Sequence, residues 1–322
     1  MKQKYKWFVG VMMAGVFGIG TTSCVDEIKF GNSFLEKAPG GSATQDTIFN
    51  SVTYTRQFLN TCYSRQYYGL PYVNSSVDDF PDSSNPYTGK FDALTDCWQL
   101  HYSGTTVYNS YYSGTHTANY GIRGDIFGYT REGVWQTVRW CWLLLENVDR
   151  VPGMGEDEKV KMKAEAKCLI AARYFDMFRH YGGLPLIYAS FMGTETNYQL
   201  PRATVEETVN YMDKMLEEAI ESGGLKWAYE GADFNSDSGH WTLAGAMALR
   251  CKLWQFAASP LFNGTQGYAG GRSEAEQQHL VWYGSKRPEL WNKCLEYCRQ
   301  FCNAVAANGF YKLREAAGSN PT

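Results

Sequence analysis

From residue 131 onward, apolar side chains recur at helical spacing in run after run, and each run stops at glycine or proline. The longest, EDEKVKMKAEAKCLIAARYFDMFRHYGG from Glu156 to Gly183, is rich in helix formers. Gly182 or Gly183 can end it, and Pro185 blocks its continuation. Before it, Trp135, Val138, Cys141, Trp142, Leu145 and Val148 make one stripe; further back, Phe58, Leu59, Cys62 and Tyr63 make another. After it, Thr204 and Glu207 have capping-box spacing, and Val205, Val209, Met212, Leu216 and Ala219 line one face up to Gly223. Trp241–Ala258 carries small residues, Ala244, Gly245, Ala246 and Ala248, that permit close helix approach. Leu290–Val305 predicts one more helix, ended by Gly309. The fold class is therefore all-α.

Helices joined in series by short breaks predict stacked helix pairs, the plan of a tetratricopeptide-like scaffold. No strict repeat of about 34 residues is visible, so such repeats are degenerate, and an irregular bundle is the alternative. Residues 63–129 differ. They hold 11 of the 23 tyrosines, separated by Gly, Ser, Asn and Asp, with no long apolar period. A long aromatic-rich loop region attached to a helical scaffold is expected there. Its rings either pin the loops or face a ligand. Sugar rings offer C–H faces to stack on aromatic side chains and hydroxyls that bond to Asn, Asp and Arg.

The chain starts with Lys2, Lys4 and Lys6, then an apolar stretch from Trp7 to Gly20, then small residues up to Cys24. The stretch is short for a bilayer span, which needs roughly 20 apolar residues, and has the layout of a secretory leader. An ordinary secretory signal with a cysteine nearby is one reading. A lipoprotein signal, with Cys24 as the lipidated first residue, is the preferred one, although Thr21 stands where a leucine is usual. Removing residues 1–23 takes away the three lysines, leaving 27 basic against 33 acidic residues, a net charge of −6. That balance excludes a nucleic-acid partner, which needs a concentrated basic footprint.

Of nine cysteines, Cys294, Cys298 and Cys302 follow each other at a spacing of four. With Trp291, Leu295 and Phe301 they form one helix stripe and have no nearby histidine, so core packing is expected rather than a metal site. The five histidines enter no metalloprotease motif, and no Gly-x-Ser-x-Gly or phosphate-loop pattern occurs. Asp78, Asp79 and Asp82 share one loop, where turn chemistry is favoured over Ca²⁺ binding. No catalysis, metal or cofactor is expected.

YFDMFRHYGGLPLIY (174–188) resembles the hallmark stretch of SusD/RagB-like outer-membrane nutrient-binding lipoproteins. FLEKAPG (34–40) follows the lipidation site as a Phe-Leu-Glu…Pro segment does in that family, and Asp26 and Glu27 resemble the acidic export signal of Bacteroidetes lipoproteins. Glu165, Ala171 and Arg173 fit a Glu-Ala…Arg-Ala helix. LPRATVEETVNYMDKMLEEAIESG (200–223), GHWTLAGAMALRCKLWQFAASPLFN (239–263), WNKCLEYCRQF (291–301) and GFYKL (309–313) follow in the family's order.

The resemblance implies a lipid-anchored outer-membrane receptor facing the exterior. It would capture a glycan and pass it to a SusC-like TonB-dependent transporter. A peptide receptor of the same architecture is the alternative, ahead of a surface glycoside hydrolase or a purely structural repeat scaffold. Domains are expected at 1–23 (signal peptide) and 24–322, the latter divided into a loop-rich part, 24–130, and a helix-pair scaffold, 131–313. Family members continue past this point, so the chain is expected to be truncated at its C-terminus. The family site draws on aromatic residues of the early loops and of loops leaving the scaffold. Trp98 is the first candidate, followed by Tyr102, Tyr67, Tyr68 and Tyr72. Asp78 and Asp79 are candidate hydroxyl acceptors, and Asn263, Tyr268, Trp282 and Tyr283 are candidates in the later loop.

Overall fold

The structure is a computed structural model and describes residues 44–64, 96, 132–191 and 198–313. The chain divides into two compact units, 1–48 and 49–322. Of the first, residues 44–48 are described, and they form most of the short helix α1 (Gln45–Phe49). The second consists of helices joined by irregular segments, with no strand among its described residues. It comprises α2 (Val52–Ser64), α3 (Glu132–Asn147) with a short 3₁₀ turn (Val148–Arg150), α4 (Glu156–Tyr181), α5 (Val205–Glu221), α6 (Ala232–Asp237), α7 (Leu243–Ala258), α8 (Glu274–Gln277) and α9 (Glu289–Asn308). Sequential long helices pack on one another: α2 on α3, α3 on α4, α4 on α5, α5 on α7 and α7 on α9. This is the serial helix packing that the periodicity predicts.

α4 lies at the centre and touches α2, α3, α5 and α7. Every residue from Cys168 to Phe178 is buried, as expected of a helix covered on all sides. The five predicted core positions of α5, Val205, Val209, Met212, Leu216 and Ala219, have no exposed surface at all. Its start is the predicted capping box: the Thr204 hydroxyl accepts from the Glu207 N–H (3.2 Å), and the Glu207 carboxylate accepts from the Thr204 N–H (2.8 Å). α7 begins slightly later than the sequence pattern, because the Thr242 side chain caps it by accepting from the Gly245 N–H (3.0 Å).

Buried polar groups tie the helices together. Glu165 is completely buried and accepts from the Tyr63 hydroxyl of α2 (2.8 Å), with His240 Nδ1 at 2.9 Å from the same oxygen. Between α5, α7 and α9, Arg250 donates to Asp213 (2.7 Å), Glu217 (2.9 Å) and the Tyr297 hydroxyl (2.9 Å), and the Trp254 indole also donates to Asp213 (2.8 Å). A charge pair taken out of water needs such additional bonds to be tolerated.

The cysteine stripe of α9 departs from expectation. Cys294 is buried, Cys298 half-buried and Cys302 exposed, while Trp291 and Leu295 keep 46% and 49% of their surface. A step of four residues overshoots a helical turn by about 40°, so the three cysteines wind out of the contact with α7 instead of staying in it.

Candidate functional site

The stretch 174–188 builds a surface feature, and its residues show how. α4 ends at Tyr181, and Gly182 takes φ 74°, donating its N–H to the Phe178 carbonyl (2.9 Å). A Cβ on Gly183 would lie 1.9 Å from the Ala203 carbonyl oxygen, so only glycine fits there. The chain then runs without regular structure from Leu184 to Tyr188, and side chains of three helices hold its backbone. From α4, the Tyr174 hydroxyl donates to the Pro185 carbonyl (2.8 Å) and accepts from the Ile187 N–H (3.1 Å). From α5, the Tyr211 hydroxyl donates to the Ile187 carbonyl (2.5 Å) and Thr208 accepts from the Leu184 N–H (3.1 Å). From α3, Glu146 accepts from the Ser190 N–H (2.8 Å) and Arg139 donates to the Phe191 carbonyl (2.5 Å). Burial raises the Tyr174 and Tyr211 hydroxyls well above the ordinary tyrosine range, so both stay protonated and able to donate.

Against this fixed segment lies an open groove of about 460 Å³. α3 supplies Trp135, Gln136 and Arg139; the pinned segment supplies Pro185, Ile187 and Phe191; Tyr198 and Leu200 close the far side. The Trp135 ring meets Tyr174 edge-on at 6.0 Å, and Phe191 and Tyr198 lie 5.8 Å apart. Tyr198 keeps 53% of its surface. Arg139 is the charged residue of the lining. The groove thus offers aromatic faces with an amide and a guanidinium beside them, at a size typical of small-ligand sites. A larger cavity of about 790 Å³ lies elsewhere, and much of its charged lining is already paired, Arg56 with Glu158 (2.6 Å) and Lys161 with Asp237. Uncovered rings make the smaller groove the better candidate.

The residues singled out from sequence fall elsewhere. Asn263 is buried; its side chain donates to the Arg287 carbonyl (2.9 Å) and accepts from the Arg287 N–H (2.6 Å), clasping a loop. Tyr283 is also buried, under the Arg287 guanidinium at 5.1 Å. Trp282 is half-buried and donates its indole N–H to the Glu276 carbonyl (2.9 Å). Tyr268 is 86% exposed. None of the four lines the groove. Cys24, Tyr67, Tyr68, Tyr72, Asp78, Asp79, Trp98 and Tyr102 lie outside the described residues. Sequence reasoning placed Trp135 on a core stripe and passed over Phe191, Tyr198 and Leu200. The available signal was two aromatic residues flanking the polar run after Pro185-Leu186-Ile187-Tyr188.

No protein-family model and no curated protein sequence matches the chain. Solved structures do. BT4246 superposes with a TM-score of 0.55 at 19% identity, over 82% of this chain and 41% of that one. A SusD superfamily protein from Bacteroides thetaiotaomicron VPI-5482 gives 0.50 at 13% identity, over 82% of this chain and 50% of its own. The fold is SusD-like. The chain spans half or less of the length of these two structures. No helix among the described residues is long and apolar enough to cross a membrane.

Proposed function

We propose that this chain belongs to a SusD-like surface lipoprotein that binds a neutral oligosaccharide in the groove beside residues 184–191 and passes it to a SusC-like TonB-dependent outer-membrane transporter. The observation that carries the reading is the groove itself, in which Trp135, Phe191 and Tyr198 surround a cavity with a single charged lining residue, Arg139. Stacking of sugar C–H faces on those rings supplies affinity, and Gln136 and Arg139 supply directional hydrogen bonds. Cys24 carries the lipid in this reading and holds the protein at the outer membrane, exposed to the exterior. Trp98, Tyr67, Tyr68, Tyr72 and Tyr102 are proposed as further stacking rings. The role is binding without catalysis.

The test is a calorimetric screen of the full chain against neutral oligosaccharides, charged oligosaccharides and short peptides, with product analysis after long incubation. Saturable binding of a neutral glycan, unchanged in moderate salt and without turnover, is the expected result. Exclusive binding of peptides, or cleavage of a glycan, would overturn it.

A further inference from the structure

The C-terminal half of α4 and the first turns of α7 line a further cavity, of about 370 Å³, which shares no lining residue with the groove. Its cations are Arg179 of α4 and Lys252 of α7, and its carboxylate is Asp176 of α4. Asp176 is buried and already committed: Arg179 donates to it at 2.7 Å, and Arg173 lies 3.9 Å away. Lys252 is exposed and forms no ion pair among the described residues. The Arg179 guanidinium lies 5.2 Å from the centre of the Phe175 ring, and the Lys252 ammonium 5.9 Å from the same centre. One buried ring thus holds two like charges near each other, an arrangement that an anion between them stabilises. Thr242 adds a donor. Its hydroxyl caps α7 by accepting from the Gly245 N–H (3.0 Å) and keeps its own hydrogen to give. The positive end of the α7 dipole lies at the same wall. Tyr63 and His240 also line the space; both bond to the buried Glu165, which does not line it itself.

We propose that this cavity is a second binding site, which takes a small hydroxy-carboxylate, with the carboxylate between Arg179 and Lys252 and a hydroxyl against Thr242. Two cations against one carboxylate leave a single positive charge, which a monoanion neutralises. Arg179 gives part of its fork to Asp176, and that bond fixes the guanidinium for the ligand. Lys252 supplies a point charge that ordinary rotation of its stem can bring onto the anion. The volume suits one sugar-sized unit, so a uronic acid carries the right groups at the right size. The site differs in kind from the groove, where uncovered rings dominate the lining. It stands or falls without the glycan reading of that groove.

The experiment titrates the full chain with glucuronate, glucose and inorganic sulfate, followed by ligand-detected magnetic resonance. Saturable binding of glucuronate is expected, at least about tenfold tighter than glucose and tighter than sulfate. High salt should weaken it several-fold, because one of the two cations is exposed. Lys252→Ala and Lys252→Glu should each weaken it by at least about fivefold, Lys252→Glu the more, while Lys252→Arg keeps it. Tyr198→Ala, which alters the groove, should bind glucuronate as the parent does. Circular dichroism checks each variant; if one misfolds, the glucose, sulfate and salt arms on the parent protein decide alone. Equal binding of glucose and glucuronate, or tighter binding of sulfate, would overturn the proposal. So would full binding by folded Lys252→Glu, or loss of glucuronate in Tyr198→Ala.

Discussion

Tyr174 shows how much one hydroxyl organises. It sits on the buried central helix, yet its oxygen bridges two backbone groups of the segment that forms the groove wall. Replacing it with phenylalanine keeps the ring against Trp135 and Tyr211 but leaves the Pro185 carbonyl and the Ile187 N–H without their partner. Tyr174→Phe should therefore cost about 1–3 kcal/mol in denaturant unfolding, the penalty for buried polar groups left unpaired. A loss near zero would mean that water replaces the hydroxyl and the segment is held by other contacts. The same residue explains why site residues were hard to find in sequence. An aromatic ring in a polar loop looks the same whether it anchors the loop or meets a ligand. Tyr283 lies in a loop rich in polar and glycine residues but turns inward under Arg287, whereas Trp135 has helix-stripe spacing and opens onto the groove. Burial separates these cases, and burial depends on contacts far apart in sequence.

Elements were more legible than sites, because their ends are set by local chemistry. Thr204 with Glu207, Gly182 and Gly309 mark helix ends in the sequence, and the structure ends its helices there. Thr204→Ala should lower stability by about 0.5–2 kcal/mol, read as a reduced melting temperature. The bonds from Thr204 also hold the Glu207 carboxyl below the usual carboxylate range. A carboxylate with a lowered folded-state value contributes fully above its unfolded value and loses that contribution as pH falls through the folded value. The acid limb of the stability curve should therefore be shallower in Thr204→Ala than in the parent. Identical acid limbs would show that the backbone N–H of residue 204, which the substitution keeps, holds the shift without the hydroxyl. Periodicity was less informative for α9. Its stripe marks apolar positions but not how far the stripe drifts around the helix, and so the exposure of Cys302 was not foreseen.

At the scale of the molecule, the all-α plan and its serial helix packing were readable because the core of each long helix is written as a local period. The groove was not, since it joins α3, the segment after α4 and residues 198–200, three pieces that only the fold brings together. The N-terminal reading makes its own prediction. Cys24→Ala should release the protein from membranes into the soluble fraction, and retention after a salt wash would remove the lipid anchor from the proposal. The glycan groove is tested most directly by the affinity of Tyr198→Ala for the neutral oligosaccharide that the parent binds. Tyr198 is half exposed and lies outside the helices, so its removal should leave melting unchanged. A loss of affinity of at least about tenfold, equivalent to about 1.4 kcal/mol, is expected with no change in stability. Full affinity in the folded variant would contradict the placement of the glycan in this groove.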